Sequence, residues 1–338
     1  MSLDEIQGQT VAVALLRRLR ASDRIAHAYV FHGPDGVGKF RAALAFAAAS
    51  LCSSPIDSGA CGRCADCARA VRSTHSHLHV LALAKDESEI PIESVRGVLA
   101  SISLKTVDGR GRWVLVRDAE QLSSASANAL LKTLEEPPPG VRLVLVTSRL
   151  QSLLPTVVSR CHRVRFGPLP DDVVASLLAR ERGLEPERAR WAARFAGGSL
   201  GRAVRLLDEG LEERWRWVLA RWGGLDGPSL VPFAEEVAEF AKAAGSGGEE
   251  QRDRVRLVLD LIATLLRDAL LIGSGVAPDR LASPADAGEA ERLFRRLGAE
   301  EIVSTLDQLQ IAESEIAQNA NHKLAFANLL LADGRIPR

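Results

Sequence analysis

Apolar and polar positions along this chain fall into two regimes. Up to about residue 166, short aliphatic runs alternate with segments of helical period. Ala28–His32, Val114–Val116 and Leu143–Thr147 read as buried strands, because each is a brief apolar run that stops at charged or small polar residues. Between them, Phe40–Leu51 and Ile90–Leu104 read as helices. So does Asn128-Ala129-Leu130-Leu131-Lys132-Thr133-Leu134-Glu135-Glu136, ended by Pro137-Pro138-Pro139-Gly140. The first 27 residues carry Leu3, Ile6, Val11, Leu15, Leu16 and Leu19 at near-helical spacing beside a solvated basic turn, Arg17-Arg18-Leu19-Arg20. His75, His77 and His79 alternate, which predicts one face of a half-exposed strand. Gly109–Arg112 is a turn into the central strand.

Phe166-Gly167-Pro168-Leu169-Pro170 breaks this pattern, and every later segment has helical period: Val173–Arg182, Pro186–Phe195, Val255–Ile272 and Ile302–Leu331. Gly223–Pro228 and Ala244–Glu249 read as turns or loops. Trp215, Trp217 and Trp222 are expected to pack helices. The expected organisation is an α/β domain over 1–167, a small helical domain over 168–208 and an all-α domain over 209–338.

Composition narrows the function. The 338 residues are nearly half apolar and a quarter charged, with formal net charge zero. A globular chain is implied, and a broad basic field for nucleic acid is excluded. The N-terminus lacks a signal-peptide apolar core, and no run of about eighteen uncharged apolar residues exists to span a bilayer. A cytoplasmic location without membrane attachment is expected.

Four of the five cysteines lie within sixteen residues, as Cys52-x8-Cys61-x2-Cys64-x2-Cys67. Four thiolates in a short loop suit a tetrahedral structural zinc site with no position left for water. Disulfides, an iron–sulfur centre and free thiols are the alternatives. The first lacks a secretory context, and the second lacks the usual following cysteine and proline.

The strand at 28–32 leads into Gly33-Pro34-Asp35-Gly36-Val37-Gly38-Lys39 and then a helix. Glycines at 33, 36 and 38 let backbone N–H groups turn toward an anion, Lys39 reaches terminal phosphates, and the helix points its positive end at them. One departure matters: position 40 is Phe, where a working loop places the Ser or Thr that ligates magnesium.

The run 128–138 resembles the bacterial clamp-loader AAA+ subunits, and the likeness extends over most of the chain, strongest at 24–170. The resemblance implies a P-loop AAA+ domain with a parallel sheet, a helical lid and a C-terminal oligomeric collar, with the zinc module inserted after the P-loop helix. It makes Ile6–Gln9 and His27–Phe31 adenine-pocket and entry segments, Thr147 part of the first sensor, and Arg202 the second-sensor phosphate contact. Only His75 matches the family's usual His-Pro-Asp segment. Counting back from Asn128 puts Arg117 at the magnesium-organising aspartate and Asp118 at the catalytic glutamate; a one-residue slip puts Asp118 and Ala119 there instead. Either register breaks the pair.

Ser159-Arg160-Cys161 resembles the family motif whose arginine enters the neighbouring subunit's ATP site. The implied protein is a non-motor member of a hetero-oligomeric ring with gamma/tau-like motor subunits and a delta subunit. That ring loads a sliding clamp onto primer-template DNA, and this member holds ATP or ADP, if at all, without hydrolysis. Two alternatives are an active motor subunit and a zinc-dependent nucleic-acid-binding protein. The first needs an unusual magnesium arrangement, and nothing follows the third helical region to bind a polymerase or helicase. The second has Arg63, Arg69 and Arg72 near the zinc loop but no aromatic platform for bases.

Overall fold

The computed structural model describes residues 2–22, 25–56, 59–84, 87, 89–103, 111–222, 227–243 and 248–317. They form two compact units, one from the described residues up to 177 with 197–202, the other from 178–196 with the described residues of 203–317.

In chain order the first unit carries α1 (Thr10–Ala21), β1 (Ala28–His32), α2 (Lys39–Leu51), α3 (Ala65–Val71), β2 (Leu78–Leu81) and α4 (Ile92–Ile102). There follow β3 (Arg112–Val116), α5 (Ser124–Glu135), β4 (Val141–Thr147), α6 (Pro155–Val158) and β5 (His162–Arg165). The strands make one five-stranded sheet in the order β2-β3-β4-β1-β5, parallel throughout. Such a sheet buries both faces, which explains why its central strands are almost uniformly apolar rather than alternating. Register places His32 opposite Thr147 and Val116 opposite Leu145, so β1, β3 and β4 end on one rim. The carboxyl ends of parallel strands are where such sheets collect ligands. The α/β domain with a parallel sheet expected from the sequence is the fold observed.

Strand alternation sorts the two faces. Val30, Val114, Val116, Leu143 and Leu145 pack into one core layer with Ile90, Val95, Ile102, Leu130 and Leu134 of the α4–α5 side. Residues between them in sequence face α2. There Tyr29 meets Phe46 edge-on at 5.7 Å, and Phe46 meets Trp113 at 5.2 Å. Trp113, Phe46 and Tyr29 are essentially inaccessible to solvent. Each such aromatic contact adds about 0.5–1.5 kcal/mol to the area buried, so α2 is clamped to the sheet by its middle and its N-terminal turn is held in place.

In the helix α1 the inward face is Ala12, Val13 and Leu16, while Val11 is 81% exposed and Leu15 lies outside as well. Two sequence expectations need correction. His75 and His77 precede β2 rather than lying on it, and only His79 is in the strand. The His75 Nδ1 instead accepts the His77 backbone N–H, and its ring meets that of His77 edge-on. Gly227 and Pro228 open a helix instead of ending a turn.

α7 (Asp171–Arg182) leaves the first unit, and the second continues with α8 (Pro186–Phe195), α9 (Leu200–Asp208), α10 (Leu211–Trp222), α11 (Gly227–Lys242), α12 (Gly248–Gly273) and α13 (Ala287–Ala317). α13 is broken at Gly298, whose φ of 73° ends one helical run and starts another. The tryptophans pack helices, as expected: Trp215 and Trp222 are buried, and Trp215 Nε1 donates to Asp286 Oδ2 at 2.7 Å. The remainder of the helix expected over 302–331, and the turn residues 109–110, 223–226 and 244–247, lie outside the described residues.

Candidate functional site

The loop between β1 and α2 is built by glycine. Gly33, Gly36 and Gly38 all have positive φ (141°, 70° and 95°), a region that side chains resist. A Cβ on Gly33 would fall 2.0 Å from the Phe166 carbonyl oxygen, and one on Gly36 would fall 2.3 Å from Ser199 Oγ. The second contact places the 197–202 segment directly on the loop tip, where the Gly201 N–H donates to the Gly36 carbonyl at 3.1 Å. Ser199 Oγ accepts the Arg202 N–H and caps the start of α9. Arg202, the second-sensor candidate, therefore belongs to the segment that covers the phosphate loop.

Lys39 is 94% buried and its Nζ donates to the carbonyls of Gly33 and Pro34 at 2.8 and 2.6 Å. Burial lowers its pKa, opposed by the charges of Asp35, Glu120 and Asp118. Asp118 stands at the carboxyl end of β3 in a left-handed conformation (φ 50°, ψ 57°), and burial raises its pKa.

Position 117 follows Trp113 and Leu115 on the α2 face of β3. Its guanidinium carbon lies 5.4 Å from the centroid of the Phe40 ring, and its Nε lies 3.4 Å from Asp118 Oδ2. The two departures from a working phosphate loop, 77 positions apart in sequence, therefore touch. Reading the sequence as two separate losses missed this; the signal available was the period of two along β3.

Thr147, at the end of β4, is fully buried and its hydroxyl accepts the Arg149 N–H at 3.0 Å. The adjoining Ser148 donates its N–H and hydroxyl to Glu120 Oε1. Glu120 was not a sequence candidate. Its short 3-10 turn after Asp118 brings it across to β4, and it ties the ends of β3 and β4 together.

Arg160 closes the short α6. Its Nη2 lies 2.6 Å from Glu135 Oε1, the last residue of α5, and its Nη1 donates to the Thr156 carbonyl at 2.9 Å. Both side chains of the ion pair are about a third or more exposed. None of these partners belongs to the chain's own phosphate loop.

The four cysteines converge. Cys52 caps the end of α2, Cys64 caps the start of α3, and Cys61 and Cys67 flank Cys64. All four Sγ atoms lie within 4.8 Å of one another, with Cys52–Cys64 at 3.7 Å and Cys61–Cys67 at 3.9 Å. A tetrahedron of thiolates about 2.3 Å from a central zinc has edges of roughly 3.8 Å, so the donor set fits a closed four-sulfur metal site. Backbone N–H groups of Cys61, Cys64 and Cys67 each point at a cysteine sulfur at 3.4 Å. A hydrogen bond with the Ser53 side chain, aided by the Cys67 N–H, draws the Cys64 thiol down to about 5, whereas burial pushes Cys67 up to about 12. Cys161 stands apart from the cluster; burial pushes its thiol to about 12.

The three residue groups that the sequence picked out thus occupy distinct places on one parallel-sheet domain. A family model described as DNA polymerase III, delta subunit, matches residues 8–170. The DNA polymerase III subunit delta' of Pseudomonas aeruginosa is 37% identical over 204 residues, 60% of this chain and 62% of that relative. Over this stretch the chain is similar to the DNA polymerase III delta and delta' subunits. The subunit tau of Escherichia coli (strain K12) is 31% identical over 70% of this chain and 38% of its own length. Among solved structures, a DNA polymerase III gamma subunit-related protein of Thermotoga maritima aligns over 96% of this chain and 99% of that one, at TM-score 0.41 and 19% identity. The matched stretch spans under two thirds of the delta' relative's length. No helix among the described residues is long and apolar enough to cross a membrane.

Proposed function

We propose that this chain is a non-motor subunit of a DNA polymerase III clamp loader, supplying Arg160 in trans to the ATP site of a neighbouring motor subunit. The observation that carries the reading is the Arg117–Phe40 contact at 5.4 Å. The two positions that would hold and organise magnesium present a cation and a hydrocarbon ring, and neither is an oxygen ligand for a hard cation. Hydrolysis at its own loop is thereby disabled, while Arg160 stays about a third exposed at the end of α6, held by Glu135 and not by that loop.

An arginine delivered by a neighbour stabilises charge on the transferring phosphoryl and is worth roughly 10³–10⁵ in rate. In this reading Gly33, Gly36, Gly38, Lys39, Thr147 and Arg202 line a site that retains nucleotide without cleaving it. The four-cysteine cluster holds a structural zinc ion, a closed site whose role is to fold the 52–67 segment rather than to do chemistry. The regions 1–167, 168–208 and 209–338 act as nucleotide-type domain, lid and collar, the last joining gamma/tau-like and delta subunits in a ring that places the sliding clamp on primed DNA.

ATP turnover tests the proposal. The purified chain alone should show none above background, and a ring assembled with motor and delta subunits should turn over ATP in a manner lost with Arg160→Ala. Brisk magnesium-dependent turnover by the chain alone would make it a motor subunit.

A further inference from the structure

We propose that the Arg117 guanidinium takes the place of the divalent cation at this chain's own phosphate loop, so that the loop accepts a nucleoside polyphosphate without magnesium. The inference rests on the reading of that loop as a non-hydrolysing site and specifies the ligand it takes.

A phosphate loop needs positive charge beyond its lysine, because the phosphate chain of a nucleoside di- or triphosphate carries several negative charges, and magnesium normally supplies it. Magnesium requires oxygen ligands in near-ideal octahedral geometry. Residue 40 offers a phenyl ring, and residue 117 brings a fixed positive charge that would repel a second cation. The same two substitutions compensate each other. Strand alternation sends Arg117 to the α2 face of the sheet, where α2 begins at Lys39, and the Phe40 ring seats the guanidinium 5.4 Å from its centroid. A planar guanidinium stacks on an aromatic face while its edge N–H donors stay available, and those donors match phosphate oxygens in pairs.

Around this cation the loop keeps the features of an anion site. Gly33, Gly36 and Gly38 retain their positive φ, the first turn of α2 has no side-chain cap at Gly38, and the buried Lys39 ammonium is held by neutral carbonyls of the loop itself. Asp118 Oδ2 lies 3.4 Å from Arg117 Nε, while the guanidinium carbon stays 5.4 Å from the Phe40 centroid. Arg117 is thus a binding residue for phosphate at the position where a hydrolysing relative would keep a metal-organising carboxylate.

Calorimetric titration of the full chain with ATP and with ADP, in magnesium and then in excess EDTA, tests this directly. Affinities in EDTA should stay within about threefold of those in magnesium, and Arg117→Ala should weaken binding about tenfold or more in EDTA. Tripolyphosphate should compete with ATP. The double variant Phe40→Ser with Arg117→Asp, which restores the oxygen ligands, should bind ATP only when magnesium is present. The wild-type titrations need no variant to fold, and they decide the matter. Binding that collapses in EDTA, no binding in either buffer, or failure of tripolyphosphate to compete would each overturn the assignment. Those results would leave the trans role of Arg160 standing, since that is read from turnover in the assembled ring; turnover by the chain alone would remove both.

Discussion

Two arginines of the first unit make opposite contacts. Arg117, at the end of β3, turns onto the ring of Phe40 and is absorbed by the chain's own phosphate loop. Arg160, at the end of α6, pairs with Glu135 and with its own helix turn among the described residues. Both are exposed enough that neither pairing is worth much to stability, about 1 kcal/mol or less for a surface ion pair or an exposed cation–π contact. The difference between them lies in direction rather than energy. Strand alternation dictates where a residue following β3 must point, whereas a residue at the end of a one-turn helix is placed by the packing of that helix against α5. An arginine turned onto its own loop and another turned away from it are what a subunit needs if it acts on a neighbour's nucleotide and not on its own.

The sharpest way to break this comparison is to remove each arginine in turn. Arg160→Ala in an assembled ring should lower ATP turnover at the adjoining motor site by roughly 10³-fold or more, with an unchanged melting curve for the isolated chain. Arg117→Ala should leave that turnover nearly intact; equal losses from the two variants, measured by steady-state ATPase, would erase the distinction drawn here.

Metal removal comes next and should spare both arginines. Chelation should release one metal ion per chain and unmask the four thiols of Cys52, Cys61, Cys64 and Cys67, counted by thiol titration, because folding of such a segment is linked to its metal. Retention of all four thiols in a protected state after metal loss would show that the cluster packs without an ion.

A smaller effect is expected at the loop tip. Gly36→Ala places a methyl group at φ 70° and against Ser199 Oγ, which should cost about 1–3 kcal/mol in urea unfolding while weakening nucleotide binding. The smallest is Glu135→Gln. It removes the charge that steadies Arg160 and should change stability by no more than about 0.5 kcal/mol. A larger loss of stability would mean that Arg160 is committed to holding α5 and α6 together rather than kept for a partner.

Much of the secondary structure was legible in residue order. β1 and α8 match their expected bounds, α2 begins one residue early at Lys39, and α5 covers most of the Asn128–Glu136 run. These segments are long, strongly periodic or closed by proline and glycine. The candidates that chemistry marks by spacing were also found: the glycine loop, the cysteine quartet and the Ser-Arg-Cys tripeptide. What went unread or was misread had weak local signals. Val11 and Leu15 are apolar yet exposed because α1 offers its Ala12, Val13 and Leu16 face to the core, and a stripe of mixed spacing does not say which face wins. The histidines at 75 and 77 alternate like a strand, but chain pairing with β3 begins only around them, where the His77 carbonyl accepts the Trp113 N–H.

By itself the sequence determined β1, β3 and β4, the longer helices, the glycines that need positive φ, the donor set for a metal and the absence of an oxygen at residue 40. These follow from local period, backbone freedom and functional-group chemistry. Only the tertiary structure decided that Arg117 and Phe40 meet, that Glu120 crosses to Ser148, that 197–202 covers the loop tip, and that Arg160 rests on Glu135. Each of those contacts joins residues far apart in sequence across parallel strands or packed helices. Their partners are chosen by sheet order and crossover geometry, which no local pattern encodes.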